Sequence, residues 1–191
     1  MSRIKRGGRF RKGFLMLVVI ILLLVVIGFL LPSKFHVERS IEIKRAPSII
    51  FPYLNNIQRW SQWTSLNEGK DFSTEISYFG PPQGIGSGME YSGDKLGAGK
   101  IEITDNESDQ WIDFSLLMNK RISSKGHIEI DPINTSLSQV TISLEGDVGF
   151  HLPNRYIILF MDNISGALFD NSLKQLKSII EVKNTTSPRS F

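Results

Sequence analysis

The chain has 191 residues, a formal charge of +3 at pH 7 and no cysteine, which excludes a disulfide framework, a thiol nucleophile, a cysteine-ligated metal and a cysteine-borne lipid anchor. Its positive charge is concentrated at one end. Arg3, Lys5, Arg6, Arg9, Arg11 and Lys12 precede the first apolar run with no acid among them, and without these six, 16 basic residues face 19 acidic ones. The remainder is mildly acidic, which argues against a phosphate-binding surface, so no nucleic-acid partner is expected.

From Phe14 to Leu31 every residue except Gly28 is apolar. At ~1.5 Å rise per residue this run spans roughly 27 Å, close to the hydrocarbon thickness of a bilayer. A cleaved signal peptide would carry a shorter apolar region of roughly 7–15 residues and a small-x-small cleavage site. Leu30, Leu31, Pro32 and Ser33 supply no such site. Six basic residues lie before the run and only Lys34 and Arg39 lie close behind it, which places the N-terminus in the cytosol. In a bacterium the domain beyond would then be periplasmic or extracytoplasmic. The expected organisation is a basic cytosolic head over 1–13, a transmembrane helix over 14–31, one folded domain over 35–183 and a disordered tail over 184–191.

The folded part opens on a strand, where Phe35, Val37, Ile41 and Ile43 alternate with polar residues. Ala46-Pro47 starts a short helix, with Pro47 suited to the first helical position, and Pro52 is expected to break or kink it. Trp60 and Trp63 follow, three residues apart and so on one helical face. Strand-like segments succeed one another at Phe72–Phe79, Gly86–Ser92, Ile101–Ile103, Ile112–Leu116, Ile128–Ile130 and Val140–Leu144, separated by glycine- and proline-bearing turns. The short connections predict an antiparallel meander. The period then changes: Ile157, Met161, Ile164 and Leu168, continued by Phe169, Leu173, Leu176 and Ile180, describe a long helix bent near Gly166, with Asp170 and Lys174 pairing on its solvent side.

One strand, a short helical pair, a run of antiparallel strands and one long helix make an α+β pattern. The economical packing wraps a curved antiparallel sheet around the long C-terminal helix. Space left between them would form an apolar cavity, the usual form of a small-molecule site.

In this order the segments Val37-Glu38-Arg39-Ser40-Ile41-Glu42-Ile43 with Ala46-Pro47, Arg59-Trp60-Ser61-Gln62-Trp63, Gly80-Pro81-Pro82-Gln83-Gly84-Ile85-Gly86-Ser87-Gly88, Gly97-Ala98-Gly99 and Leu173-Lys174-Gln175-Leu176-Lys177 resemble the polyketide cyclase/dehydrase and lipid-transport superfamily, also called SRPBCC, with its START-like helix-grip fold. The resemblance implies a hydrophobic cavity between sheet and long helix, used across the superfamily for lipids, sterols, aromatic polyketides and plant hormones. It implies no single activity, because the family includes a few cyclases and many non-enzymatic binders. Tyr91 departs from the pattern, standing where relatives often carry a tryptophan.

The chemistry-bearing residues point the same way. Gly84-Ile85-Gly86-Ser87-Gly88 lacks the strand-then-helix context of a phosphate cradle and reads as a turn and strand bend. His36, His127 and His151 are too scattered for a zinc set, and no Gly-x-Ser-x-Gly elbow supports a nucleophile. Glu75 and Glu90 can meet across strands on a solvated face. No catalytic residue, metal or cofactor is therefore assigned. Trp60 and Trp63 serve either as core at the end of the sheet or as a ligand-orienting pair. Tyr91, Phe114, Leu116, Met118, Phe160 and Ile164 are the other candidate cavity residues, each equally at home in a core. The expected function is a membrane-anchored binding domain for a hydrophobic small molecule or lipid. The rivals are a cyclase- or hydrolase-like enzyme, which would need an inward Asp, Glu or His, and an interaction module with a collapsed cavity and an exposed apolar patch.

Overall fold

The computed structural model describes residues 7–64, 73–94, 97–119 and 122–182. The basic residues Arg3, Lys5 and Arg6, the expected strand start at Phe72 and the tail over 184–191 lie outside them. Helix α1 (Gly7–Leu30) takes in the end of the basic head as well as the apolar run, and residues 11–30 are long and apolar enough to cross a membrane. Strand β1 (Lys34–Ile43) follows after a three-residue link.

From β1 the chain runs through α2 (Pro47–Leu54), a 3₁₀ turn (Ile57–Arg59) and the single-turn α3 (Trp60–Trp63). Strands β2 (Glu75–Phe79), β3 (Gly88–Gly93), β4 (Gly97–Glu107), β5 (Trp111–Met118), β6 (Ile122–Asn134) and β7 (Leu137–Asp147) follow, then α4 (Leu152–Ile158) and α5 (Met161–Val182). The seven strands form one antiparallel sheet in the order β1-β7-β6-β5-β4-β3-β2. The expected meander is present from β2 to β7, and β1 adds to its end beside β7. Because β1 and β2 are opposite edges, α2 and α3 carry the chain from one edge to the other across the mouth of the curved sheet. Alternation sets the faces: Val37, Ile43, Met89, Ile103, Ile112, Ile128 and Val140 are buried on the inner face together with Leu173, Leu176 and Ile180 of α5. This is the α+β helix-grip arrangement.

Three local expectations are corrected. Helix α2 runs through Pro52 to Leu54, because the proline falls in the closing turns and its cost is offset by burial of Ile50, Phe51, Tyr53 and Leu54 on one side. The C-terminal helix is interrupted at Leu159-Phe160, between α4 and α5, and not at Gly166. Gly166 sits inside α5 for close approach: a Cβ there would lie 2.1 Å from Arg39 Nη2. Asp170, expected to pair with Lys174, instead has its Oδ2 3.6 Å from Arg39 Nε.

Strand β1 and the two residues that follow it hold α5 at both ends. Near the helix start, Arg39 Nη1 and Nη2 donate to Asp162 Oδ1 and Oδ2 at 3.0 and 3.1 Å, a bidentate pair. Near its end, Lys44 N donates to Glu181 Oε1 at 2.8 Å and Arg45 Nη2 donates to the Glu181 carbonyl at 2.9 Å. The Arg39 hydrogen bond holds the Asp162 carboxyl below its ordinary pKa. With the folded value depressed, the stabilisation is complete above the ~3.9 of a free aspartate and vanishes as pH falls through the folded value. Asp162→Asn is therefore expected to lower Tm at neutral pH and to converge with the native protein in acid, as followed by thermal melts across pH. A Tm offset that is constant with pH would contradict this role.

Candidate functional site

The inner face of the sheet and α5 do not fill the space between them. Two features of the sequence leave it open. On the sheet, large rings lie flat across glycines of the neighbouring strand: Tyr91 opposite Gly99, Phe114 opposite Gly126 and Phe35 opposite Gly146 are direct register partners. A Cβ at Gly99 would lie 2.4 Å from the Tyr91 hydroxyl oxygen, and one at Gly126 would lie 2.0 Å from Phe114 Cζ. The rings therefore pave the sheet and do not stand up from it. On the helix, the residues that face Tyr91 and Phe114 include the small Ser165 and Ser172, both buried.

The result is a cavity of about 210 Å³ walled by Trp60, Trp63 and Thr64 at one end, by Tyr91, Ile101, Phe114, Leu116, Met118, Ile142 and Leu144 on the sheet, and by Ser165, Leu168, Phe169 and Ser172 on α5. The 3₁₀ turn and α3 place the tryptophans. Asn56 Oδ1 accepts from Gln58 N at 3.0 Å to start the turn, and Trp60 Nε1 donates to the Leu54 carbonyl at 2.7 Å. Trp60 packs edge-on against Phe114, with centroids 5.1 Å apart at 88°, and lies 5.3 Å from the Trp63 ring. The pair is core and cavity wall at once, so the two readings of these tryptophans are not exclusive. Trp63 Nε1 is buried with no hydrogen-bond partner among the described residues. Burial raises the pKa of the Tyr91 phenol, which keeps it a neutral hydroxyl that both donates and accepts.

Six of the eight candidate cavity residues meet here: Trp60, Trp63, Tyr91, Phe114, Leu116 and Met118. Phe160 and Ile164 do not. They are 58% and 53% exposed; the buried face runs through Ile158, Met161 and Ser165 at helical spacing, so the inward residues are the ones next in sequence to Phe160 and Ile164. The residues that sequence reasoning missed have two signals. Ile101, Ile142 and Leu144 share the inward parity of their strands; Ser165 and Ser172 sit on the inward face of α5 but are polar, so an apolar stripe does not report them.

Among the described residues no charged side chain lines the cavity, and Tyr91 is the one titratable group in its walls. No Asp, Glu or His is among the described walls. Charged groups gather on the outer face: Glu90 lies opposite Lys100 and diagonal to Glu75, and His127 Nδ1 lies 2.6 Å from Asp113 Oδ1 with Trp111 stacked on the imidazole. These are partly exposed cross-strand pairs. Gly80–Gly88 is a tight turn: Gly84 N donates to the Asn55 carbonyl and Gly86 N to the Ile103 carbonyl, at 2.9 and 2.8 Å. At Gly80, with φ 74°, a Cβ would lie 2.0 Å from the Gly86 carbonyl oxygen. No group of three potential metal ligands occurs among the described residues.

No family model matches the chain, and no curated protein sequence does. Solved structures do. A protein from Thermobifida fusca superposes with a TM-score of 0.58 at 12% identity, covering 76% of this chain and 92% of its own. A START superfamily protein from Mycobacterium smegmatis gives 0.54 at 11% identity, covering 76% and 97%. A point mutant of norcoclaurine synthase from Thalictrum flavum, in complex with a transition-state analogue, gives 0.54 at 12% identity, covering 76% and 96%. At such identities the likeness establishes the fold alone, and that fold is the START-like helix grip.

The two tryptophans differ in a measurable way. Trp60→Phe removes a buried donor and strands the Leu54 carbonyl, at an expected cost of ~1–3 kcal/mol beyond the loss of ring area. Trp63→Phe removes a donor that has no partner and should cost less. Urea denaturation of the two variants checks the order, and a larger loss for Trp63→Phe would show that its N–H is already satisfied within the protein.

Proposed function

We propose that this protein is a membrane-tethered binding domain for a compact hydrophobic small molecule or lipid chain, held between the sheet and α5. The observation that carries the reading is a mostly apolar cavity between the sheet and α5 with no charged side chain among its described walls.

Volume limits the ligand. The cavity exceeds the ~150 Å³ that takes a benzene-sized guest and falls short of the ~300–1,000 Å³ of drug-sized sites. A single ring or a short acyl chain suits it, and Met118, with its flexible thioether, provides adjustment. The tether is α1, with the N-terminus cytosolic and the domain on the opposite side. The basic cluster before the run supports that orientation, and the link Leu31–Ser33 keeps the cavity close to the bilayer.

Titration of the full chain with phenols and medium-chain alcohols, followed by tryptophan fluorescence, tests the reading. Saturable changes are expected in the native protein. Ser172→Leu, which fills the cavity from α5, and Gly126→Val, which lifts the Phe114 ring into it, are each expected to weaken binding at least tenfold. Binding unchanged in both variants would place the ligand elsewhere.

A further inference from the structure

Helix α4 is packed against α1, and not against its end alone. Tyr156 donates its hydroxyl proton to the Leu24 carbonyl. Leu152 and Tyr156 close over Gly28, the one buried residue among the described side chains of α1, where a Cβ would lie 2.9 Å from Leu152 Cδ2 and 3.2 Å from Tyr156 Cε2. Arg155, 9% exposed, donates through Nη1 to the carbonyls of Phe29 and Leu31 at 3.1 Å each, and through Nε to the Gly149 carbonyl at 2.8 Å. It thereby satisfies the open C-terminal carbonyls of α1 with a cation, the sign that a helix C-terminus favours.

This docking fixes the depth of α4. Leu24 lies seven residues before Leu31, the domain-side end of the apolar run, which is roughly 10 Å along the axis at ~1.5 Å per residue. If α1 spans a bilayer, Tyr156 reaches to that depth from the membrane boundary. The composition of the segment agrees. Residues 148–161 contain no carboxylate, and their one permanently charged group, Arg155, is turned inward to α1. Apart from His151 at the start of α4, their exposed side chains are apolar: Phe150 is 84% exposed, and Ile157, Leu159 and Phe160 are about half exposed.

We infer that the segment Phe150–Phe160 is a second membrane element, immersed beside α1 in the leaflet on the domain's side, with lipid acyl chains covering Phe150, Ile157, Leu159 and Phe160. A depth of roughly 5–10 Å is that of interfacial amphipathic helices. Ile164 and Leu168, exposed and four residues apart on α5 beyond Phe160, continue the apolar stripe from the immersed segment to the cavity rim, where Leu168 is part of the wall. The inference rests on α1 being a span and is independent of what the cavity binds.

The absence of cysteine makes the test clean. Single variants of the full chain, Leu23→Cys, Phe160→Cys and Ile133→Cys, are labelled with an environment-sensitive nitrobenzoxadiazole and reconstituted in phosphatidylcholine vesicles containing doxyl-labelled lipid. Ile133 is the aqueous control, because the β1–β7 register puts its hairpin at the end of the sheet away from Lys34. The expected result is strong quenching and a blue shift at positions 23 and 160 and neither at 133. Adding Gly28→Ile, which pushes Leu152 and Tyr156 off α1, should reduce quenching at position 160 while leaving 23 unchanged. Quenching at 23 without quenching at 160 overturns the inference and leaves the span intact. No quenching at either position overturns the span and the inference with it.

Discussion

The structure depends on the contact between one helical face of α5 and the concave face of a seven-stranded sheet. Each surface is apolar and neither can face water, so each is stable only against the other. Leu173, Leu176 and Ile180 seal the C-terminal half of that contact against strand residues such as Val37 and Val140. Polar clamps from Arg39 in β1 and from Lys44-Arg45 just after it set where the helix lies along the sheet. The N-terminal half of α5 is different in kind. There the small Ser165 and Ser172 face the sheet, and Tyr91 and Phe114 lie flat over glycines. Close packing fails locally for a steric reason, and the cavity is that failure.

Closure by Trp60 and Trp63 connects this space to the chain's topology. Because β1 pairs with β7 at one edge and β2 lies at the other, the connection between them must cross the open side of the sheet, and it does so as α2 and α3. The tryptophans therefore stand at the end of the cavity as a consequence of strand order. Trp60 is committed to the backbone through Leu54, whereas Trp63 has its N–H uncommitted. Two adjacent, equally buried indoles thus differ in that only Trp60 has its N–H satisfied among the described residues.

Much of this was legible in the sequence. Strand alternation and the late change to helical period give the α+β helix grip, and the inward parity of β3 and β5 brings Tyr91, Phe114, Leu116 and Met118 to one wall. What periodicity cannot show is which of two adjacent stripes is buried when one of them carries a serine. The apolar stripe through Ile157, Ile164 and Leu168 reads as a single buried face, but the buried side runs through Ile158, Met161 and Ser165, so Phe160 and Ile164 face outward. Apolar character also has two meanings in a chain with a helix fit to cross a membrane, since it marks surfaces that meet lipid as well as surfaces that meet protein. Cavities pose the same difficulty in reverse. They are made by small residues opposite flat rings, and glycine–aromatic register pairs become visible only once the strands are aligned.

The central claim is that the space between sheet and α5 exists to hold a small hydrophobic guest. Native mass spectrometry of the full chain, extracted from its own host in mild detergent, tests it most directly. The account predicts a reproducible adduct of low mass that is released on denaturation and is absent from Ser172→Leu prepared in the same way. An apo mass for the native protein at every preparation, or an adduct retained equally by Ser172→Leu, would contradict it.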